Sequence, residues 1–171
     1  MTRAGNQART AWRSAAAFAA LILAADTTWA QPKFDIQPTL DCLEQQGHDG
    51  DRRQCIGVAA GVCMEANMST PAMSYCLEQE LNWWDAALND TYKQARVAAK
   101  QADTENAAPN NVQDSSLRDM QRAWIAYRDA RCEWEASLWG GGTGAGPAFV
   151  GCLMTMTGEQ EILIGINGLG Q

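Results

Sequence analysis

Two stretches of this chain repeat apolar residues at intervals of three and four, and that spacing commits both to amphipathic helix. In the first, Met73, Leu77, Leu81, Trp84, Leu88 and Tyr92 share one face, while Glu78, Glu80, Asp85 and Lys93 fall largely off it. In the second, Leu117, Met120, Trp124, Tyr127, Arg131, Trp134 and Leu138 repeat the pattern. Ser69-Thr70-Pro71 supplies a hydroxyl cap and then a proline at the first helical position. This helix is expected to run to about Gln101, where the polar residues 102–111, with Pro109, break it. Asp114 or Ser115 is expected to cap the second helix. Gly140-Gly141-Gly142 must end it, because three glycines lose too much backbone entropy to stay helical. Sustained β alternation is missing. The expected fold is all-α: two long antiparallel helices with shorter ones packed on them.

Shorter elements flank this pair. Residues 39–46 read as a short helix, and residues 52–67 as a short buried one rich in alanine and glycine. Residues 149–166 read as a last, shorter helix weakened by Gly158 and Gly165. Trp84, Trp124 and Trp134 sit on the stripes, so core packing is their expected role. Trp83 lies about 100° round the helix from Trp84, and Trp139 abuts the glycine turn. Either is available as an exposed binding anchor.

Ahead of all this, Arg3, Arg9 and Arg13 precede an apolar run at 14–25, and small residues sit before and at Ala30. Basic, apolar and small-residue regions in that order make a secretory signal peptide cleaved after Ala30. The apolar run is about 12 residues, too short for a membrane-spanning helix of roughly 20. No cysteine stands directly after the cleavage point, which argues against a lipid anchor, and membrane insertion is not expected. Losing residues 1–30 removes three Arg and one Asp, so the charge moves from −7 to −9. That sign disfavours nucleic acid and anionic lipid and favours a basic partner.

Cys42, Cys55, Cys63, Cys76, Cys132 and Cys152 all follow the leader. An even number of cysteines in an exported chain implies disulfides, here up to three. Cys55 and Cys63, eight apart on a helix, can share a side but hardly bond each other. A metal is not expected: no Cys-x-x-Cys pair occurs, and the one histidine, His48, stands in a glycine-flanked loop. No cofactor is implied either. One histidine in such a loop gives little support to nucleophilic triads. Glu80 and Asp85 on the first long helix, with Asp129, Glu133 and Glu135 on the second, could in principle work as paired acids on a sugar. The expected reading is instead solvated acids and ion pairs to Arg122, Arg128 and Arg131, so no catalytic residue is assigned. The glycine-rich segment 140–146 lacks the Lys-Ser/Thr ending of a phosphate loop and reads as a turn.

The order ELNWWDAALNDTY (80–92), QRAWIAYRDARC (121–132), a glycine-rich turn, Cys152 and Thr157 resembles the LprI-type lysozyme-inhibitor-like domain. The likeness spans about residues 70–165. It divides the chain into a leader (1–30), a Cys-containing extension with short helices (31–68) and an LprI-like helical domain (69–171). The resemblance implies a small, disulfide-bonded, periplasmic or secreted all-α module. Leu88, Tyr92 and Trp124 are then core, Asp85 and Arg128 an ion pair between the long helices, and Cys132 and Cys152 a clamp. The pairing of Cys42, Cys55, Cys63 and Cys76 stays open. Where the family carries an arginine three residues after its threonine, this chain has Gln160, which removes any ion pair that arginine would make.

The implied function is an exported non-catalytic binder resembling inhibitors of c-type lysozyme, a strongly basic enzyme that an acidic protein would attract. Its expected contacts are Trp83, Trp139, Gly141 and Gly142. The rival reading is a structural or envelope-maintenance module.

Overall fold

The computed structural model describes residues 32–47, 50–105 and 112–168. These belong to Gln31–Gln171, the second of the two units into which the chain divides. The leader, His48 and the break at Pro109 lie outside the described residues. Helices α1 (Gln37–Gln46), α2 (Val58–Glu65), α3 (Thr70–Glu105), α4 (Gln113–Ser137) and α5 (Ala145–Gly168) follow one another, with a 3₁₀ turn at Arg52–Cys55 before α2. Among the described residues there is no strand. The all-α class holds.

Helix α3 is 36 residues long, about 54 Å at 1.5 Å per residue. Its buried ridge is Ala72, Cys76, Glu80, Trp84 and Leu88, continued by Ala95 and Ala99. This ridge shares Trp84 and Leu88 with the predicted stripe but is rotated toward Cys76 and Glu80.

Against α3 lies α5, in step along its length. The nearest α3 neighbours are Ser74 at Gly146, Leu77 at Gly151, Trp84 at Gly158 and Ala95 at Gly168. The two helices therefore run parallel. The last helix reaches further than the expected 149–166: α5 has 24 residues, one fewer than α4. Neighbours press closest at two of the α5 glycines, Gly158 and Gly168. A Cβ on Gly158 would stand 2.9 Å from Ile56 and 3.1 Å from Trp84, so packing against this bare backbone outweighs glycine's helix penalty of about 1 kcal/mol. Apolar on almost every side, α5 is the helix that others cover.

Helix α4 runs against α5, with Cys132 bonded to Cys152, Arg128 meeting Thr157 and Gln121 meeting Gln160. Of its predicted stripe, Leu117 and Trp124 face inward and the other members do not. The inward line is Leu117, Gln121, Trp124, Arg128 and Cys132, about 100° round from Met120, Tyr127 and Trp134. Trp134, expected in the core, is 61% exposed. Polar Gln121 and Arg128 can face in because α5 offers Gln160 and Thr157 there.

The cap of α4 also differs from expectation. Asp103, at the end of α3, accepts from the backbone N–H of Gln113 (2.9 Å) and Asp114 (3.0 Å). Asp114 is thereby free to take Arg96 at 2.7 Å.

Residues 52–67 do not form one helix. The 3₁₀ turn gives way to α2 through Gly57, whose φ of +90° is left-handed and suits glycine.

Candidate functional site

Two of the three disulfides sit ahead of the long helices or join them to it: Cys42–Cys55 ties α1 to the 3₁₀ turn, and Cys63–Cys76 ties α2 to α3. The third, Cys132–Cys152, links α4 to α5. All six described cysteines are thus bonded.

Between these bonds the α2 amides gather around one carboxylate. Glu80 is 0% exposed. Its Oε1 accepts from Gly57 N–H (2.8 Å), the Thr39 hydroxyl (3.0 Å) and the Trp84 indole N–H (3.1 Å), while Oε2 accepts from Ala60 N–H (2.7 Å). Thr39 Oγ1 in turn accepts from Ala59 N–H at 3.0 Å. A helix start leaves its first amides without partners, and its dipole favours negative charge there. Glu80 caps α2 from a different helix. The expectation that it is a solvated acid is corrected. The signal was the run of i+4 steps Ala72–Cys76–Glu80–Trp84–Leu88, which puts Glu80 in line with core residues.

The remaining motif residues are placed as follows. Leu88 is buried, and Tyr92 is half-buried with the Arg96 guanidinium 6.0 Å from its ring. Trp124 bridges two core clusters and carries the Arg128 guanidinium 5.0 Å from its ring. The expected Asp85–Arg128 pair does not form. Asp85 is exposed and accepts from Asn89 at 3.0 Å, while Arg128 pairs with Asp129 at 2.8 Å and reaches Thr157 at 3.4 Å. The Gln160 side-chain amide N–H donates a 2.9 Å hydrogen bond to Gln121 Oε1. Arg122 pairs with Asp119 and Arg131 with Glu135.

Glu80 and Asp85 are not brought together as a pair. Glu80 is enclosed by donors and Asp85 faces outward. Among the described residues no group of three His, Cys, Asp or Glu is placed to hold a metal. No described helix is long and apolar enough to cross a membrane.

What the fold presents outward is the end of α4 and the turn into α5. Trp134, Leu138 and Trp139 are all more than half exposed. Gly140 (φ +56°) and Gly141 (φ +83°) are left-handed and have open space around them, and Gly142 N–H closes the turn onto Trp139 O at 2.9 Å. The Trp139 ring lies over Gly144 so closely that a Cβ there would collide with it. Trp139 is thereby held in a set direction while half its surface stays in water. Trp83 is different: half-buried, it stands edge-on to Trp84 with ring centroids 4.7 Å apart.

Fold and surface together define a small disulfide-bonded helical domain that exposes an aromatic turn between α4 and α5. The chain belongs to the family described as Lysozyme inhibitor LprI, which it matches over residues 63–161. Similar proteins are themselves uncharacterized. A 17.7 kDa protein of Rhodobacter capsulatus, encoded 5′ of puhA, is 23% identical over 74% of this chain and 82% of its own length. Protein R02472 of Rhizobium meliloti is 33% identical over 57% of this chain and 72% of its own. YecT of Escherichia coli is 41% identical over 34% and 36%. No solved structure matches.

Proposed function

We propose that this is an exported, non-catalytic binding protein, periplasmic or secreted after loss of residues 1–30. Its partner is a basic cell-wall enzyme of the c-type lysozyme class. The observation that carries this reading is the exposed Trp134–Leu138–Trp139 edge and its left-handed Gly140-Gly141 turn, inside the stretch that matches the inhibitor family. A narrow turn led by a fixed tryptophan suits insertion into a cleft, and tryptophans dominate binding hot spots. The three disulfides fit an exported protein. A charge of −9 without the leader draws a basic partner at long range.

Lysis of a peptidoglycan suspension by c-type lysozyme tests this directly. The oxidised protein should inhibit stoichiometrically, and Trp139→Ala should weaken inhibition by about thirtyfold, the worth of a hot-spot side chain of roughly 2 kcal/mol. Association should slow as salt rises, since screening shortens the reach of the acidic surface; a salt-independent rate removes the steering argument.

A second reading is an envelope-maintenance module. It is favoured by Leu88, Tyr92, Trp124 and Arg128 all being engaged in packing. No inhibition at large molar excess would select it.

A further inference from the structure

A groove of about 410 Å³ runs between α4 and α5, away from the Trp139 turn. Trp124 and Met156 line its inner side, both belonging to the core around the Cys132–Cys152 bond. Tyr127 and Arg131 form the α4 wall, and Glu159, Gln160 and Leu163 the α5 wall, with Arg53 of the 3₁₀ turn also lining it. Its size falls within the roughly 300–1,000 Å³ typical of small-molecule sites.

Part of this lining is fixed. Arg131 is held by Glu135 at 3.0 Å, and its pKa is raised above the ordinary arginine value chiefly by that hydrogen bond. Trp124 is held by the Arg128 guanidinium on its ring. The rest has hydrogen-bonding capacity to spare. Neither the Arg53 guanidinium nor the Glu159 carboxylate has a partner among the described residues, and Gln160 engages its amide nitrogen with Gln121 and leaves its oxygen unused. Tyr127 keeps 60% of its surface in water.

The balance of charge narrows the ligand. Glu159 offsets Arg53, and Glu135 offsets Arg131, so no net positive charge remains to hold a phosphate. The polar groups are too many for an acyl chain. What fits is a molecule with an apolar face ringed by groups that both donate and accept hydrogen bonds. A pyranose ring has that form: its C–H face lies on an aromatic side chain, and its hydroxyls meet a guanidinium and a carboxylate. Gln160, whose oxygen is unused, lines the groove together with the apolar Leu163 and Met156, a combination that suits the N–H and methyl of an acetamido group.

We propose that the α4–α5 groove is a binding site for an N-acetylhexosamine saccharide, independent of any protein partner. The probe is tri-N-acetylchitotriose titrated into the oxidised protein alone, read by the Trp124 indole N–H resonance and by calorimetry. Cellotriose, which lacks the acetamido groups, is the comparison. Expected are a saturable shift of the indole signal, at least tenfold weaker binding of cellotriose, and a loss of about tenfold in affinity in Tyr127→Ala. Glu159→Gln should weaken binding as well. Both substituted side chains are exposed, so unchanged thermal unfolding of the variants confirms that the fold is intact. No saturable shift at about 10 mM probe, a weak limit of roughly 3 kcal/mol in binding free energy, overturns the proposal. So does equal affinity for cellotriose, or binding that Tyr127→Ala leaves unchanged.

Discussion

Glu80 shows how one side chain can organise a segment that has little core of its own. Helix α2 is eight residues long, far below the length at which a helix is stable alone, and its first amides converge on this carboxylate. Glu80→Gln keeps the shape and the Oε1 acceptor but turns an NH₂ toward the Ala60 N–H. Donor then faces donor in a buried site, and the loss should be about 1–3 kcal/mol, read as a lower urea midpoint at unchanged slope. Asp114 is the second residue with a measurable signature. The Arg96 guanidinium at 2.7 Å holds its carboxyl below the ordinary value of 3.8. A carboxyl depressed in the folded state adds stability above its unfolded pKa and loses it as pH falls through the folded one. The melting temperature of the wild type should therefore exceed that of Arg96→Gln above pH 3.8, and the gap should close as the solution is made more acidic. A gap that persists unchanged into strong acid would rule out this ion pair as its source.

At the scale of elements, the glycines of α5 are legible only in context. Two glycines within one helix have opposite surroundings. A Cβ at Gly158 would meet Ile56 and the fixed Trp84 ring within 3.1 Å, whereas one at Gly165 would touch only Thr91 at 3.8 Å. Gly158→Ala should destabilise by about 1 kcal/mol net of the helix-propensity gain. Gly165→Ala should stabilise by about 0.5–1 kcal/mol. Thermal unfolding of the two variants should show shifts of opposite sign, and equal shifts would refute the packing account. The expected weakening of the last helix came from applying propensity to both positions alike. Helix α4 teaches a related lesson. Its spacing correctly gave a helix, but the sequence pattern aimed Tyr127 and Trp134 inward. Inside, α5 presents Thr157 and Gln160, which accommodate the Arg128 and Gln121 face instead.

Across the whole molecule, the disulfides tie together elements that follow one another in the chain: α1 to the 3₁₀ turn, α2 to α3, and α4 to α5. Replacing Cys132 and Cys152 with serine releases a bond spanning 20 residues and should cost about 3 kcal/mol on the loop-entropy account. It should also free the Trp139 turn, so inhibition and stability should fall together in the double variant. Loss of stability with inhibition intact would place the partner contact elsewhere. The stretch that matches the family begins at Cys63, so Glu80 lies inside it while Thr39, Gly57 and Ala60 lie outside. The N-terminal segment is thus docked onto the family domain through a carboxylate that the domain itself supplies.

What the sequence alone determined is whatever local spacing and chain chemistry dictate: helix in both striped stretches, a stop at the three glycines, and cysteines suited to disulfides. The motif order pointed to the family. Tertiary structure decided which face each helix buries, because burial depends on the neighbour as well as on the stripe. It placed Trp134 in water and Glu80 in the core. It also chose the cap of α4, since Asp103 is ten residues from Gln113 and only the placement of the α4 start beside the end of α3 brings its carboxylate to those amides. Three-dimensional neighbours, which no residue interval encodes, also assembled the α4–α5 groove from α4, α5 and a 3₁₀ turn some sixty residues upstream of α4.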